Sequence, residues 1–372
     1  MKNLTITILI LAMAAPCYML YNRYTSNISS LVPYPYILPK IEKTDDYAPI
    51  LIIGDRLAFK LSSFQKYMSS RISENLSKNV KIITLATKGE GLHRTLQKVR
   101  ALKKTPLITI YLGGSEETNE QRFYSDSIPK VLKNFKYFSD DRLQTLMMIY
   151  PTTSRLIYEN IRYKKLAAII QKDTNEYSDQ MIQKRNVIHF KMYEQELNEL
   201  FGYLKDKGSY VFALTQPLNY NSPPKKSCEG SLDKITEGRL EEVVSLIRKQ
   251  DYKKAYSITK DLVLIANSNA KILYIHGQVA SNLGLTNESE NYLERSIAFD
   301  CSQWRGSPIY NNILSKSAYK NEVVLFDFDK YLKKEKDKSD NIVFSDDVLP
   351  QNLYFEKVVN ILSARIKKML KL

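Results

Sequence analysis

The chain has 372 residues, 44% of them hydrophobic, with 12 Gly and 13 Pro, which is enough for one large domain or two modest ones and excludes a fibrous or low-complexity protein. Its formal net charge of +15 at pH 7 favours anionic partners. The lysines are spread along the chain, and the longest basic cluster, Lys330–Lys338, is broken by Glu335 and Asp337. With no aromatic-studded basic stripe and no zinc-finger spacing, no nucleic-acid partner is expected.

The first 22 residues read as a signal anchor or signal peptide. Lys2 precedes an apolar run from Leu4 to Leu20, and Asn22-Arg23 follow it. About 17 apolar residues at a rise of about 1.5 Å just span a thin bilayer core of about 27 Å. Ala12-Met13-Ala14 offers a cleavage pattern, which would release a secreted form. Cys17 invites a lipoprotein reading, against which Pro16 stands where a small residue belongs. Each route places the remainder outside the cytoplasm, in the periplasm or cell envelope, with the membrane as a partner through this segment.

Residues 23–48, with Pro33, Pro35 and Pro39, read as a tether. Pro49–Ile53 is a short apolar run ending in Gly54-Asp55, a buried parallel strand. A helical stretch over Leu57–Lys78 comes next, then a strand at Val80–Leu85 and a glycine turn at Gly89/Gly91. A helix to Lys104 leads to a strand at Pro106–Leu112 that ends in Gly113-Gly114. Strands alternating with helices predict a parallel sheet covered on both faces, with sites beyond the strands' carboxyl ends. Residues 115–205 read as mainly helical and Tyr-rich, with Leu143–Tyr150 either a strand or a buried helix segment. Tyr210–Leu214 and Val323–Phe328 are further strands, and Asn352–Leu370 is a closing amphipathic helix.

Between the last two strands the pattern is helical only, at a period of 34 residues, the tetratricopeptide length. Ala255 aligns with Ser289; Gly277, Ala280, Leu293 and Ser296 fall at small or packing positions, and Thr259 and Leu262 match more weakly. Two such units over 236–301 would offer a surface for a protein partner; the alternative is a four-helix insertion without repeat ancestry. Cys228 and Cys301 flank this segment, as a disulfide or as two buried thiols. His93, His189 and His276 have no metal-ligand spacing from a cysteine, so neither metal nor cofactor is expected.

At the strand ends the chain resembles the SGNH/GDSL hydrolases. Gly54-Asp55-Arg56-Leu57 is similar to their first block, with Arg56 at the nucleophilic serine. Gly91, or alternatively Gly89, matches their oxyanion glycine. Gly113-Gly114-Ser115-Glu116 keeps a glycine and an acid, with Ser115 for asparagine. Asp346-Asp347-Val348-Leu349-Pro350 is similar to the last block, with Leu349 for histidine. His189-Phe190, Pro217-Leu218-Asn219, Pro223-Pro224 and Asp300 through Trp304-Arg305 to Asn312 look like the subgroup with tetratricopeptide repeats inside the hydrolase domain.

The resemblance implies a flavodoxin-like three-layer α/β sandwich over 49–227 and 306–372, interrupted by an all-α insertion at 228–305. It also implies a remnant site of Asp55, Arg56, Gly91, Ser115, Glu116, Asp346 and Leu349. Arginine can neither attack nor act as base, and leucine carries no proton. A pseudoenzyme that binds or scaffolds is therefore expected. The alternative is an esterase or acyl-group hydrolase with His93 as a displaced base. Arg56 is expected either to hold an anionic ligand or to form a salt bridge with Asp55, Glu116 or Asp346.

Overall fold

In the computed structural model the described residues are 47–74, 79–102, 104–118, 178–229, 232–336 and 343–370, with Ala14 and Cys17 besides. Apart from those two residues the expected apolar span lies outside them, as do most of the tether and the 143–150 run. Among the described residues no helix is long and apolar enough to cross a membrane. The chain divides into two compact units, Met1–Tyr36 with Gln121–Ile170 and Ile37–Glu120 with Gln171–Leu372. Every element given a range below belongs to the second.

Five strands, β1 (Tyr47–Gly54), β2 (Asn79–Thr84), β3 (Ile108–Leu112), β4 (Tyr210–Leu214) and β5 (Val324–Phe326), form one all-parallel sheet in the order β2-β1-β3-β4-β5. This is the flavodoxin-like doubly wound order. The period of two in a strand sends alternate side chains to opposite faces. Ile50 and Ile52 of β1 pack on one face with α1 (Arg56–Ser62), α2 (Gln65–Ser73) and α11 (Asn352–Leu370). Leu51 and Ile53 pack on the other with α3 (Leu92–Arg100), α4 (Asp179–Asp206) and α9 (Pro308–Lys320). Burial on both faces explains why the strands read as continuous apolar runs.

Two boundaries differ from the sequence reading. The single helix expected over 57–78 is broken after Ser62, because the Ser62 and Ser63 hydroxyls donate to the Phe59 and Lys60 carbonyls (2.7 Å each) that would continue the ladder. The last strand stops at Phe326. Asp327 Oδ1 accepts the Lys330 amide at 3.0 Å and so caps α10 (Phe328–Lys336).

Between β4 and α9 stand four helices, α5 (Lys234–Arg248), α6 (Tyr252–Ile265), α7 (Ala270–Asn282) and α8 (Thr286–Phe299). Asp233, Asp251 and Asn269 cap the first three. Leu240, Val243, Leu262 and Leu273 form their shared core. Gly277 lets α7 approach α8 closely, since a Cβ there would lie 2.7 Å from Leu293 Cγ. Cys228 and Cys301 are joined in a disulfide, which ties the two ends of the insertion together. Beside it, Ser227 and Asp300 form an isolated antiparallel bridge.

Candidate functional site

In the 2-1-3-4-5 order, chain connections diverge on either side of β1, and the crevice beyond the ends of β1 and β3 is where such sheets bind ligands. Gly54 closes β1 at φ +129, and a Cβ there would lie 1.9 Å from the Leu112 carbonyl oxygen. Only glycine fits this approach. Asp55 follows, almost fully buried, and caps α1 by accepting the Leu57 amide at 2.9 Å. Its second oxygen accepts the Ser115 amide at 2.7 Å and the Ser115 hydroxyl at 2.6 Å. Burial raises the Asp55 pKa, and hydrogen bonds from Ser115 and Leu57 with the Arg56 charge offset only part of that rise.

Arg56 extends from the first turn of α1, and its Nε lies 3.3 Å from Glu116 Oε1. This is an ion pair without aligned hydrogen-bond geometry at Nε. The guanidinium is partly exposed while Glu116 is buried. Of the three acids expected as partners, Glu116 is the one that pairs with it.

Ser115 takes a different part from the one its position suggests. Both of its donors turn inward to Asp55, so its hydroxyl does not serve an oxyanion. Beside it, Gly114 at φ +107 makes room for Gln216, whose amide nitrogen donates to the Gly113 carbonyl at 2.7 Å. The Tyr193 hydroxyl also donates to that carbonyl, at 3.3 Å, and lies 3.0 Å from the Tyr111 hydroxyl. Burial holds both phenols well above the usual tyrosine range.

Gly91 is the N-cap residue of α3. The first helical amide, Leu92 N, donates to Glu117 Oε1 at 2.7 Å. Below it a buried ion pair joins Lys98 to Glu90, and Lys98 Nζ also donates to the Thr87 hydroxyl at 3.0 Å. His93, the second residue of α3, has Nδ1 2.8 Å from Glu196 Oε1 on α4. Among the described residues no serine, threonine or cysteine is hydrogen-bonded to it. The sequence reading missed Glu117, Glu90, Lys98 and Glu196. Only a Glu four residues before Lys in the next turn would have been local enough to notice, and none of these pairs has that spacing.

In the last block, Asp346 is exposed and makes no ion pair with Arg56 among the described residues. Its carboxylate accepts the amides of Val348 and Leu349 at 2.7 and 2.6 Å and so holds a turn. Leu349 packs against the apolar core, and its carbonyl accepts the Ser345 amide and hydroxyl at 2.8 and 2.9 Å. An aspartate followed by two amides free to bend back is a self-capping turn.

The residues around the ends of the insertion act as struts. Asp300 accepts the Lys225, Lys226 and Ser302 amides, the Ser302 hydroxyl and the Trp304 indole N–H. Arg305 is buried and donates to the Asn219 and Ser222 carbonyls at 3.0 and 2.8 Å. The Asn311 side chain bonds both the amide and the carbonyl of Gln216. Together they fix the loop after β4. That loop floors a cleft of about 720 Å³ beyond the ends of β4 and β5, between α8, α9 and α10, lined by Tyr220, Glu294, Asn312, Asp329 and Lys333 among others. Asp329 is buried there with a raised pKa, and accepts the Leu218 amide and the Tyr220 hydroxyl. His276 and His189 are buried, His276 inside the insertion and His189 on α4. Among the described residues no group of three or more His, Cys, Asp or Glu could hold a metal ion.

No family model matches the sequence, and no curated protein matches it. Among solved structures, the lipase/acylhydrolase from Enterococcus faecalis shares 7% identity over 86% of this chain and 95% of its own, at a TM-score of 0.36. An alpha/beta hydrolase enzyme from the metagenome of Lake Arreo, Spain, shares 9% identity over 85% of this chain and 94% of its own, at a TM-score of 0.35. Likeness at this level does not extend to matching residues, and no property of those proteins passes to this chain.

Proposed function

We propose that this chain is an SGNH/GDSL-type hydrolase scaffold that does not hydrolyse esters and acts as a membrane-tethered binding or scaffold protein of the cell envelope. The observation that carries the reading is Arg56, a guanidinium ion-paired with Glu116 at the first residue after the Gly54-Asp55 strand end. Acyl transfer needs a hydroxyl or thiol there and a base to take its proton. Arginine supplies neither. Loss of nucleophile or base typically lowers the rate by on the order of 10⁶-fold. Here Leu349 is packed against the core and Asp346 is committed to its own turn. The tetratricopeptide-like insertion would supply a protein-binding surface. An anionic ligand at Arg56 would have to compete with Glu116 for the guanidinium.

One arrangement favours the second reading, an esterase with rearranged residues. His93 against Glu196 is an imidazole oriented by a carboxylate, as a general base would be. It lacks a hydroxyl or thiol partner among the described residues.

The deciding experiment is hydrolysis of a short-chain nitrophenyl ester by the full chain in detergent, beside Arg56→Ser/Leu349→His. No turnover above buffer is expected from the unmodified chain. Turnover that disappears with His93→Ala would establish the esterase reading. Turnover that survives both His93→Ala and Ser115→Ala would overturn this account of the site altogether.

A further inference from the structure

In a doubly wound sheet the helices run against the strands, so helix carboxyl ends gather at the edge where the strands begin. Here α2, α3, α4 and α9 end at that edge with Arg71, Arg100, Lys205 and Lys320 in their last turns. α11 runs parallel to α2, since Phe64 stacks near Phe355, Tyr67 bonds Asn360 and Lys367 reaches Glu74. It therefore brings Lys367 and Lys368 to the same edge.

Three of these cations have acid partners: Arg100 with Glu199, Lys205 with Glu322 and Lys367 with Glu74. Arg71, Lys320 and Lys368, joined by Lys81, Lys104 and Lys207 from the strand starts and loops, are exposed and have no acid partner among the described residues. Asp206 is the exposed acid among them left without a basic partner.

Cations in a helix's last turn are favoured by its dipole in any such fold. That does not account for the apolar and aromatic groups set among them. Tyr210 and Val324 open β4 and β5, and Leu107 precedes β3, whose partner in register is β4. Tyr210 is 59% exposed, Val324 41% and Leu107 36%, while Tyr319, in the last turn of α9, is 90% exposed. Strand β1 also begins here, at Tyr47, so the chain segment that precedes it is joined to this edge.

We propose that the edge where the strands begin is a docking surface for an anionic phospholipid bilayer. The lysines face the headgroups, and Tyr210 and Tyr319 sit at the interface, where a phenol satisfies both apolar and polar surroundings. Entry of β1 at this edge holds the surface against the bilayer; that clause rests on the tether reading above. The docking itself rests on charge and side-chain type. The remnant site and the cleft beyond β4 and β5, at the opposite strand ends, then face away from the lipid.

The test is lysine acetylation of the full chain, read by mass spectrometry, in vesicles of phosphatidylcholine with phosphatidylglycerol and in phosphatidylcholine alone. Lys330 and Lys334 on α10, which line the cleft beyond the carboxyl ends of β4 and β5, are internal controls. Lys104, Lys207 and Lys320 are expected to be protected relative to them only in the anionic vesicles, and 1 M salt removes the protection. Lys104→Glu/Lys207→Glu/Lys320→Glu weakens docking by on the order of 100-fold, from about fivefold per cation lost. Equal reactivity in both vesicles overturns the proposal, as does protection in neutral vesicles, which points to a partner other than anionic lipid. Retention of the chain on vesicles after the salt wash reports the tether separately. If retention fails while salt-sensitive protection persists, the tether reading falls and the docking surface stands.

Discussion

Ser115 gives both its amide proton and its hydroxyl proton to one carboxylate oxygen of Asp55, at 2.7 and 2.6 Å. The link ties the end of β3 to the cap of α1 across the switch point, inside the protein. Ser115→Ala leaves a buried carboxylate with one donor fewer and is expected to cost roughly 1.5–3 kcal/mol, measured by urea unfolding at neutral pH.

The same carboxyl sets a pH dependence. Its folded pKa lies above the unfolded value of 3.8. The folded state therefore holds this proton more tightly, and its contribution to stability is fully present below pH 3.8 and is lost as pH rises through the folded value. Ser115→Ala removes a bond that favours the charged form, so it costs less at acid pH than at neutral pH. An equal cost at both would contradict the assignment.

Arg56 and Glu116 are expected to be coupled. Because the guanidinium is partly exposed, Arg56→Met costs only about 1 kcal/mol, less than a fully buried pair would lose. Glu116→Gln in the same chain recovers part of it. Additive losses in the double-mutant cycle would mean that the two side chains do not interact.

His276 predicts an acid weakness in the insertion. Its Nδ1 lies 2.8 Å from the Thr259 hydroxyl and its Nε2 3.0 Å from Glu288 Oε1, with Tyr256 stacked on it and Tyr292 at its edge. Burial lowers its pKa below the usual 6.5; Lys260 adds to the lowering and Glu288 partly offsets it. Below pH 6.5 the unfolded chain takes up a proton that the folded insertion resists, so stability falls as pH drops. His276→Gln is expected to flatten the change in Tm between pH 7.5 and 5.5, set against the unmodified chain.

The disulfide is a fourth handle. Cys228 and Cys301 are 73 residues apart, and opening a loop of that length removes about 4 kcal/mol on the chain-entropy account. Cys228→Ser/Cys301→Ser is expected to lower the urea midpoint of the insertion, and a matching midpoint with reductant on the unmodified chain checks the cause.

Much of the sheet was legible because a strand buried on both faces is written as an uninterrupted apolar run with glycine at its end; Ile50–Gly54 and Ile108–Gly113 needed nothing else. The α1/α2 break was hidden because serines continue a helical pattern in composition while their hydroxyls end it in space. The site was only half legible. That Arg56 can neither attack nor act as base and that Leu349 carries no proton are visible in the sequence, but the bond from Ser115 to Asp55 and the Glu117 cap on Leu92 join positions far apart in the chain. Asp346 is ambiguous for a local reason: the same short acidic turn fits a catalytic block and a self-capping loop equally well.

The insertion leaves and rejoins the sheet unit at one place, with the Cys228 and Cys301 Cα atoms 5.8 Å apart. To the strands on either side, four helices occupy no more room than a reverse turn. A junction this narrow asks nothing of the register of β4 and β5, whatever the length of chain between its two ends. Whatever surface these helices present is thus carried on one narrow junction, closed by the disulfide.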